Sequence, residues 1–314
     1  MILRRISKKF LIATIALIVV ALVYFFPNAS DEEMYEQNIE YIEATKGPIY
    51  LKDNNNYIAR TNIIMKEEDI NKRITEIISS LTVDGDKKDY IPNGFSAIIP
   101  KNTTIISQDL DNGLLKINFS KEFNNVSLDD EEGMIEAIVY SLTEIEDIKK
   151  VMIFVEGNLL SRLPHSGKKI PKYLTREYGI NKIYDLNTIS NSTITTIYYL
   201  AKYDDKKYYV PVSTISNDKS NKVEIVINSL KTNPIYQTNL LSYMVSSVEL
   251  LSFEEKENVA SLNFNTYILD DFDEKTISEE VKYTIFLSLR DNLGIQEVIF
   301  NVNNEKIDQL TIEK

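Results

Sequence analysis

The chain has 314 residues, 43% hydrophobic and 26% charged, a balance that suits two folded domains and excludes large-scale disorder. Its net charge is −12 and it has no cysteine. So acidic a chain repels phosphate backbones, which argues against nucleic acid as a partner, and without thiols it has no disulfide, thiolate metal site, cysteine nucleophile or cysteine-linked lipid.

Residues 1–9 form a basic flank, with Arg4, Arg5, Lys8 and Lys9 and no acid. With these four set aside from the 35 basic residues, the remainder carries 31 against 47 acids, a net of −16. Residues 10–26 (FLIATIALIVVALVYFF) carry no charge. As a helix they span about 25 Å, and snorkelling lysines cover the difference from a hydrocarbon core of about 30 Å. Tyr24, Phe25 and Phe26 suit an aromatic belt, and Pro27 ends the helix. A cleavable signal peptide needs small residues before its cut, and Pro27 occupies one of those places ahead of Ala29. An uncleaved single-pass signal anchor is the favoured reading, with the bulk of the chain extracytoplasmic by the positive-inside rule. Residues 27–47 read as an acidic stalk.

The strongest signal is an internal repeat. ITEIISSL (Ile74–Leu81) matches VEIVINSL (Val223–Leu230) at an offset of 149, with apolar positions at 0, 3, 4 and 7 in both. The shared spacing predicts amphipathic helices, although Val223, Ile225 and Ile227 alone also fit a strand. LLKINFS (Leu114–Ser120) pairs with VASLNFN (Val259–Asn265) at an offset of 145. Asp111-Asn112-Gly113 predicts a tight turn joining Thr104–Gln108 to the first of these, and Glu254–Asn258 serves the second. MIEAIVYSL (Met134–Leu142) matches VKYTIFLSL (Val281–Leu289), and KKVMIFVEGN (Lys149–Asn158) matches QEVIFNVNNE (Gln296–Glu305), both at 147. The first pair reads as helices, the second with Ser278 as cap; the other pair reads as closing strands.

Each copy therefore predicts hairpin, helix, hairpin, helix, strand. The expected fold is α+β: two tandem copies of a small sheet with two helices packed on one face, each with its own core, preceded by one transmembrane helix. The copies are expected at residues 48–162 and 193–314. Residues 163–192, with Pro164, Gly167, Pro171 and Gly179, are the expected linker.

With the repeat laid out, the chain resembles the GerMN domain family in its tandem form, over residues 48–312. The resemblance rests on IIPKNTTIISQDLDNGLLKINFSKEF (Ile98–Phe123), a Pro-x-x-Thr, hairpin and polar-Phe-Ser pattern, and on LPHSGKKIPKYLTREYGINKIYDL (Leu163–Leu186). It implies a membrane-attached, extracytoplasmic, non-enzymatic protein of sporulation or spore germination. Its domains would be similar to the ring-building motifs of trans-envelope assemblies and would act through protein-protein contacts with an envelope or sporulation-complex protein. Many family members are lipoproteins; lacking cysteine, this chain would be anchored by its helix instead. The second repeat diverges most around Ser247–Phe264.

Four features invite chemical readings, and each has a plainer one. Ser166-Gly167-Lys168-Lys169 fits the S-x-x-K pattern of penicillin-recognising hydrolases, but Pro171 argues against the helix that chemistry needs, and Lys231-Thr232-Asn233 lacks the glycine of K-T-G. A solvated linker is the better reading, and His165, the only histidine, belongs to it. Asp109-Leu110-Asp111-Asn112-Gly113 begins like a calcium loop, but Ser120 stands where the twelfth-position glutamate belongs, so a hairpin turn is preferred. LDDFDE (Leu269–Glu274) reads as a solvated acidic loop ahead of a helix. Tyr198, Tyr199, Tyr203, Tyr208 and Tyr209 are either interface residues or strand formers. No catalytic, cofactor-binding or metal-ligating residue is expected. The alternative function is a peptidoglycan-binding module, which needs an aromatic groove around Tyr198–Tyr209.

Overall fold

A computed structural model of the chain describes residues 45–188, 191–232 and 239–311, together with Ala13 and Ile15–Ile18. The expected span Phe10–Phe26 lies outside the described residues except for those five, which are helical and exposed. Among the described residues no helix is long and apolar enough to cross a membrane. Ala44–Lys314 is one compact unit.

The two halves of that unit repeat one order of elements. The first has β1 (Thr45–Asp53), β2 (Ile58–Met65), α1 (Ile70–Leu81), β3 (Phe95–Ser96), β4 (Ile105–Asp111), β5 (Leu114–Phe119), α2 (Glu131–Leu142), β6 (Lys150–Val155) and β7 (Asn158–Leu159). After β8 (Ile183–Asp185) the second has β9 (Thr193–Tyr203), β10 (Lys206–Ser216), α3 (Lys222–Leu230), β11 (Leu250–Lys256), β12 (Val259–Phe264), α4 (Glu279–Leu293), β13 (Glu297–Val302) and β14 (Glu305–Thr311).

Local chemistry explains the elements. Ile74, Ile77, Ile78 and Leu81 bury one stripe of α1, and Val223, Val226, Ile227 and Leu230 the matching stripe of α3, so the second segment is a helix. Asp69, Asn221 and Ser278 cap α1, α3 and α4 by accepting backbone N–H bonds, and Gly294 ends α4 in the left-handed region. Asn112 and Gly113 have φ of 48° and 79°, the primed turn whose twist matches the β4–β5 hairpin.

The sheets differ from expectation. Each half is divided between two sheets. β4-β5-β6-β7 and β11-β12-β13-β14 are separate four-stranded sheets of one topology, while the long hairpins β1–β2 and β9–β10 join across the halves in a single six-stranded sheet. That joint is one antiparallel bridge, Arg60 to Tyr209. Asn181 reinforces it, since its side chain accepts from Ile58 N–H (2.9 Å) and donates to the carbonyls of Ile58 (2.8 Å) and Pro211 (2.7 Å). Nor do the helices sit on one open face. α2 packs on β1, β2 and β6, and α4 on β9 and β14. α2 is buried nearly all round, as its apolar-rich sequence requires, and α4 is buried through its middle, Val281–Leu289. The two equivalent cores expected are accordingly one continuous core.

The linker also departs from the solvated reading. Leu163, Ile170, Leu174 and Ile180 are buried, and Leu174 bridges Val151 with backbone bonds of 2.8 Å in both directions. They stand among Pro164, Gly167, Pro171 and Gly179, outside the named helices and strands, so no element's period marks them for burial.

Candidate functional site

The densest polar cluster lies where the halves meet. Tyr50 and Tyr198, equivalent in the repeat, touch hydroxyl to hydroxyl at 2.7 Å. Each donates its backbone N–H to an equivalent serine at 2.9 Å, Ser141 and Ser288. Self-contact between equivalent positions is the mark of a two-fold relation, here between repeats of one chain. Arg176, from the linker, stands between the equivalent carboxylates Glu144 (2.8 Å) and Asp291 (2.8 Å). Its guanidinium also donates to the Tyr140 carbonyl and Thr143 Oγ1, both at 3.1 Å, and lies over the Tyr140 ring. Arg290 pairs with Glu144 at 2.8 Å, and Tyr198 donates to Asp291 at 2.6 Å.

Burial opposes ionisation of Glu144, but Arg290, Arg176 and Arg60 outweigh it and hold the carboxyl well below the usual carboxylate range. Burial above all, with the Asp291 charge beside it, pushes the Tyr198 hydroxyl well up. Glu144 is therefore charged and the Tyr198 phenol neutral at physiological pH. Their side chains are 17%, 10% and 1% exposed for Arg176, Glu144 and Asp291. This cluster is a lock between the halves, its charged and hydroxyl groups paired with one another.

A second polar cluster holds the linker on α2. Glu131 accepts from the backbone N–H of His165 (2.8 Å) and Ser166 (3.0 Å). Lys168 and Lys182 reach Glu132 at 2.8 and 2.7 Å, and Lys182 reaches Glu136 at 2.6 Å. Ser166 and Lys169 lie in an exposed loop outside any helix, and Ser166 Oγ accepts from Lys168 N–H at 3.2 Å. The geometry for lysine-assisted serine chemistry is missing, and exposed His165 lies in the same loop. Lys231 and Thr232 follow α3; Asn233 lies outside the described residues.

Asp109–Asp111 end β4 and Asn112-Gly113 make its turn into β5, with Asp109 paired to Lys116 at 3.1 Å. In Leu269–Glu274, Asp271 folds its carboxylate onto the N–H groups of Asp273 (2.8 Å) and Glu274 (2.9 Å), closing an exposed loop. Among the described residues no group of three acidic or histidine side chains is placed to hold a metal ion. The tyrosines are inside: Tyr198, Tyr199 and Tyr208 are buried in β9–β10, and burial pushes Tyr199 up to about 12. Tyr203 and Tyr209 are half-buried.

The exposed feature that repeats is on the edge strands. β4 and β11 are the outer strands of their four-stranded sheets, and each has a bulge after its first residue, at Ile106 and at Leu251. A bulge re-aims a side chain. Ile106 is 51% exposed and Leu251 is 50% exposed, at positions the repeat superimposes. Beside β4 a cleft of about 590 Å³ is lined by Thr103, Ile106 and Gln108, with Ile78 and Ser79 from α1. Buried Thr103 Oγ1 and Gln108 Oε1 have no hydrogen-bond partner.

The sequence pattern of the Germane family, described as "Sporulation and spore germination", matches residues 48–161 and again 196–308. The chain belongs to the Germane family. It is 33% identical over 275 residues to the spore germination protein GerM of Bacillus subtilis (strain 168), spanning 84% of this chain and 74% of that one. The solved tandem GerMN domains of the sporulation protein GerM from Bacillus subtilis superpose with a TM-score of 0.78 at 28% identity, over 86% of this chain and 98% of that chain.

Both Germane repeats use this stretch for architecture, as Asn118-Phe119-Ser120 in the first and Asn263-Phe264-Asn265 in the second. Asn118 Oδ1 accepts from Gly157 N–H (2.9 Å) and Asn263 Oδ1 from Asn304 N–H (2.8 Å), so each asparagine ties down the turn of the closing hairpin. Phe119 and Phe264 are fully buried. Ser120 and Asn265 accept from the N–H of Thr104 and Glu249 and close the other end of the first hairpin. Sequence reasoning missed the bulges and the Arg176 lock. The aligned aliphatic pairs Ile105-Ile106 and Leu250-Leu251 were the signal for the first; Arg176 has no counterpart to align.

Proposed function

We propose that this Germane protein is a membrane-tethered, extracytoplasmic assembly module of sporulation or spore germination that works without catalysis. Family membership and the likeness to GerM support the process. The basic flank and uncharged apolar run of residues 1–26 support the tether. The observation that carries the assembly reading is the repeated one: two edge strands with unpaired backbone, each bearing an exposed aliphatic residue at an equivalent bulge. Such edges are natural sites for strand pairing with another chain.

A photo-crosslinking residue at position 106 or 251 then forms protein adducts of defined size in sporulating cells, and one at exposed Asp205 does not. Adducts at neither edge overturn the assembly reading. Protease added to intact protoplasts digests the chain; protection, or recovery in the soluble fraction, overturns the tether.

A second reading, peptidoglycan binding, finds support in a polar cleft of about 520 Å³ on the outward face of the second sheet, lined by Ser261, Asn263, Asn301 and Asn304 with Ser252 and Glu254. Amide and hydroxyl groups suit sugar hydroxyls. Co-sedimentation with purified peptidoglycan separates the readings: saturable binding lost in Asn301→Phe favours the glycan, and no sedimentation dismisses it.

A further inference from the structure

We infer that β4 and β11 are twin receptors for an extended basic partner segment, which adds to each as an antiparallel strand. This rests on the assembly reading above and names the chemistry of the partner.

Both strands have one composition along their length. β4 begins Ile105-Ile106-Ser107 and ends with Asp109 and Asp111; β11 begins Leu250-Leu251-Ser252 and ends with Glu254, Glu255 and Lys256. The acidic ends are exposed. Natural edges are blunted by charge and by bulges that turn the strand away from a visitor. Here charge blunts one end only, and the bulge at the other presents an aliphatic side chain to solvent. A lone exposed isoleucine means little. Its return as leucine at the equivalent place means more, because outward positions nearby have changed freely: Lys116 corresponds to Ser261, and Phe154 to Asn301.

The features select the occupant. An incoming strand satisfies the unpaired edge backbone, and beside β4 its N–H groups are a ready donor for the cleft where Gln108 Oε1 is unpaired. Running antiparallel, it sets its carboxy-terminal half beside Ile106 or Leu251 and its amino-terminal half beside the acids. Complementarity makes the first half basic and the second apolar. A second copy of this chain is a poor occupant, since both edges end in a net negative charge and the whole chain carries −12. Two receptors on one chain also make binding bivalent, which raises avidity by about 10²–10⁴ for a partner that presents two such segments.

The test is a fluorescence-anisotropy titration of the full chain in detergent. The probe is a labelled peptide of about ten residues, with lysine alternating with threonine in its amino-terminal half and valine with threonine in the other. Saturation is expected at two peptides per chain. Ile106→Lys and Leu251→Lys each leave one site and together leave none, with circular dichroism unchanged. A peptide with glutamate for lysine binds at least about tenfold weaker. No saturable binding, a stoichiometry unchanged by both substitutions, or equal binding of the acidic peptide overturns the inference. Crosslinks at 106 and 251 that persist in cells alongside any of those results leave the assembly reading standing and show that it is the partner's chemistry that differs.

Discussion

Replacing Arg176 by leucine tests how the two halves are held together. Leucine keeps part of the aliphatic stem but removes every bond of the guanidinium and its contact with the Tyr140 ring. Asp291, whose side chain is 1% exposed, loses its close bidentate partner and keeps Tyr198 OH at 2.6 Å and the adjacent Arg290 at 3.3 Å. Glu144 keeps Arg290 at 2.8 Å, with Arg60 at 3.8 Å. Removing one partner of a buried ion pair costs about 3–5 kcal/mol, and the surviving partners place this case near 3 kcal/mol. In a unit of this size that lowers Tm by roughly 6–12 °C.

The assay is urea and thermal unfolding of purified wild type and variant, followed by circular dichroism. Adding Asp291→Asn to Arg176→Leu should recover at least about 1 kcal/mol, because the uncompensated charge goes. The pH dependence has a definite sign. The folded-state pKa of Glu144 is depressed below its ordinary 4.5, so its pairing stabilises above that pH, and the contribution is lost as pH falls through the folded value. Arg176→Leu raises the folded value, so acid unfolding begins at a higher pH than in wild type. A loss below about 1 kcal/mol with an unshifted acid transition would refute the lock: Arg290 and Arg60 would then suffice without Arg176.

Three further outcomes follow from the same geometry. Asn181→Ala strips partners from both backbone groups of Ile58 and from the Pro211 carbonyl, costing about 2 kcal/mol; hydrogen exchange at Ile58 should accelerate, and unchanged protection there would count against the stitching role. Asn118→Ala frees the Gly157 N–H and costs about 1 kcal/mol, with faster exchange at Gly157 and none of that change in Asn263→Ala, which acts instead at Asn304. Ser166→Ala shifts stability by less than about 0.5 kcal/mol, and a fluorescent β-lactam labels neither form; labelling of wild type that vanishes in the variant would restore the hydrolase reading.

The amino-acid sequence by itself determined the elements and their duplication. Helix periodicity, the Asn112-Gly113 turn and the Ser278 cap act within a few residues of the chain, where backbone sterics and local hydrogen bonds decide the outcome. The offsets of 145 to 149 carried those local choices across to a second copy. Only the tertiary structure decided which strands meet. The residues of β2 and β10 favour extended chain but name no partner, so the joining of the hairpins in one sheet was invisible, and with it the single core. For the same reason Tyr198 read as an ambiguous aromatic until the pairing brought it against Tyr50 at the meeting of the halves, and Arg176 read as linker until two distant carboxylates surrounded it. The bulges at Ile106 and Leu251 depend on register with β5 and β12, a property of two strands that neither one carries alone.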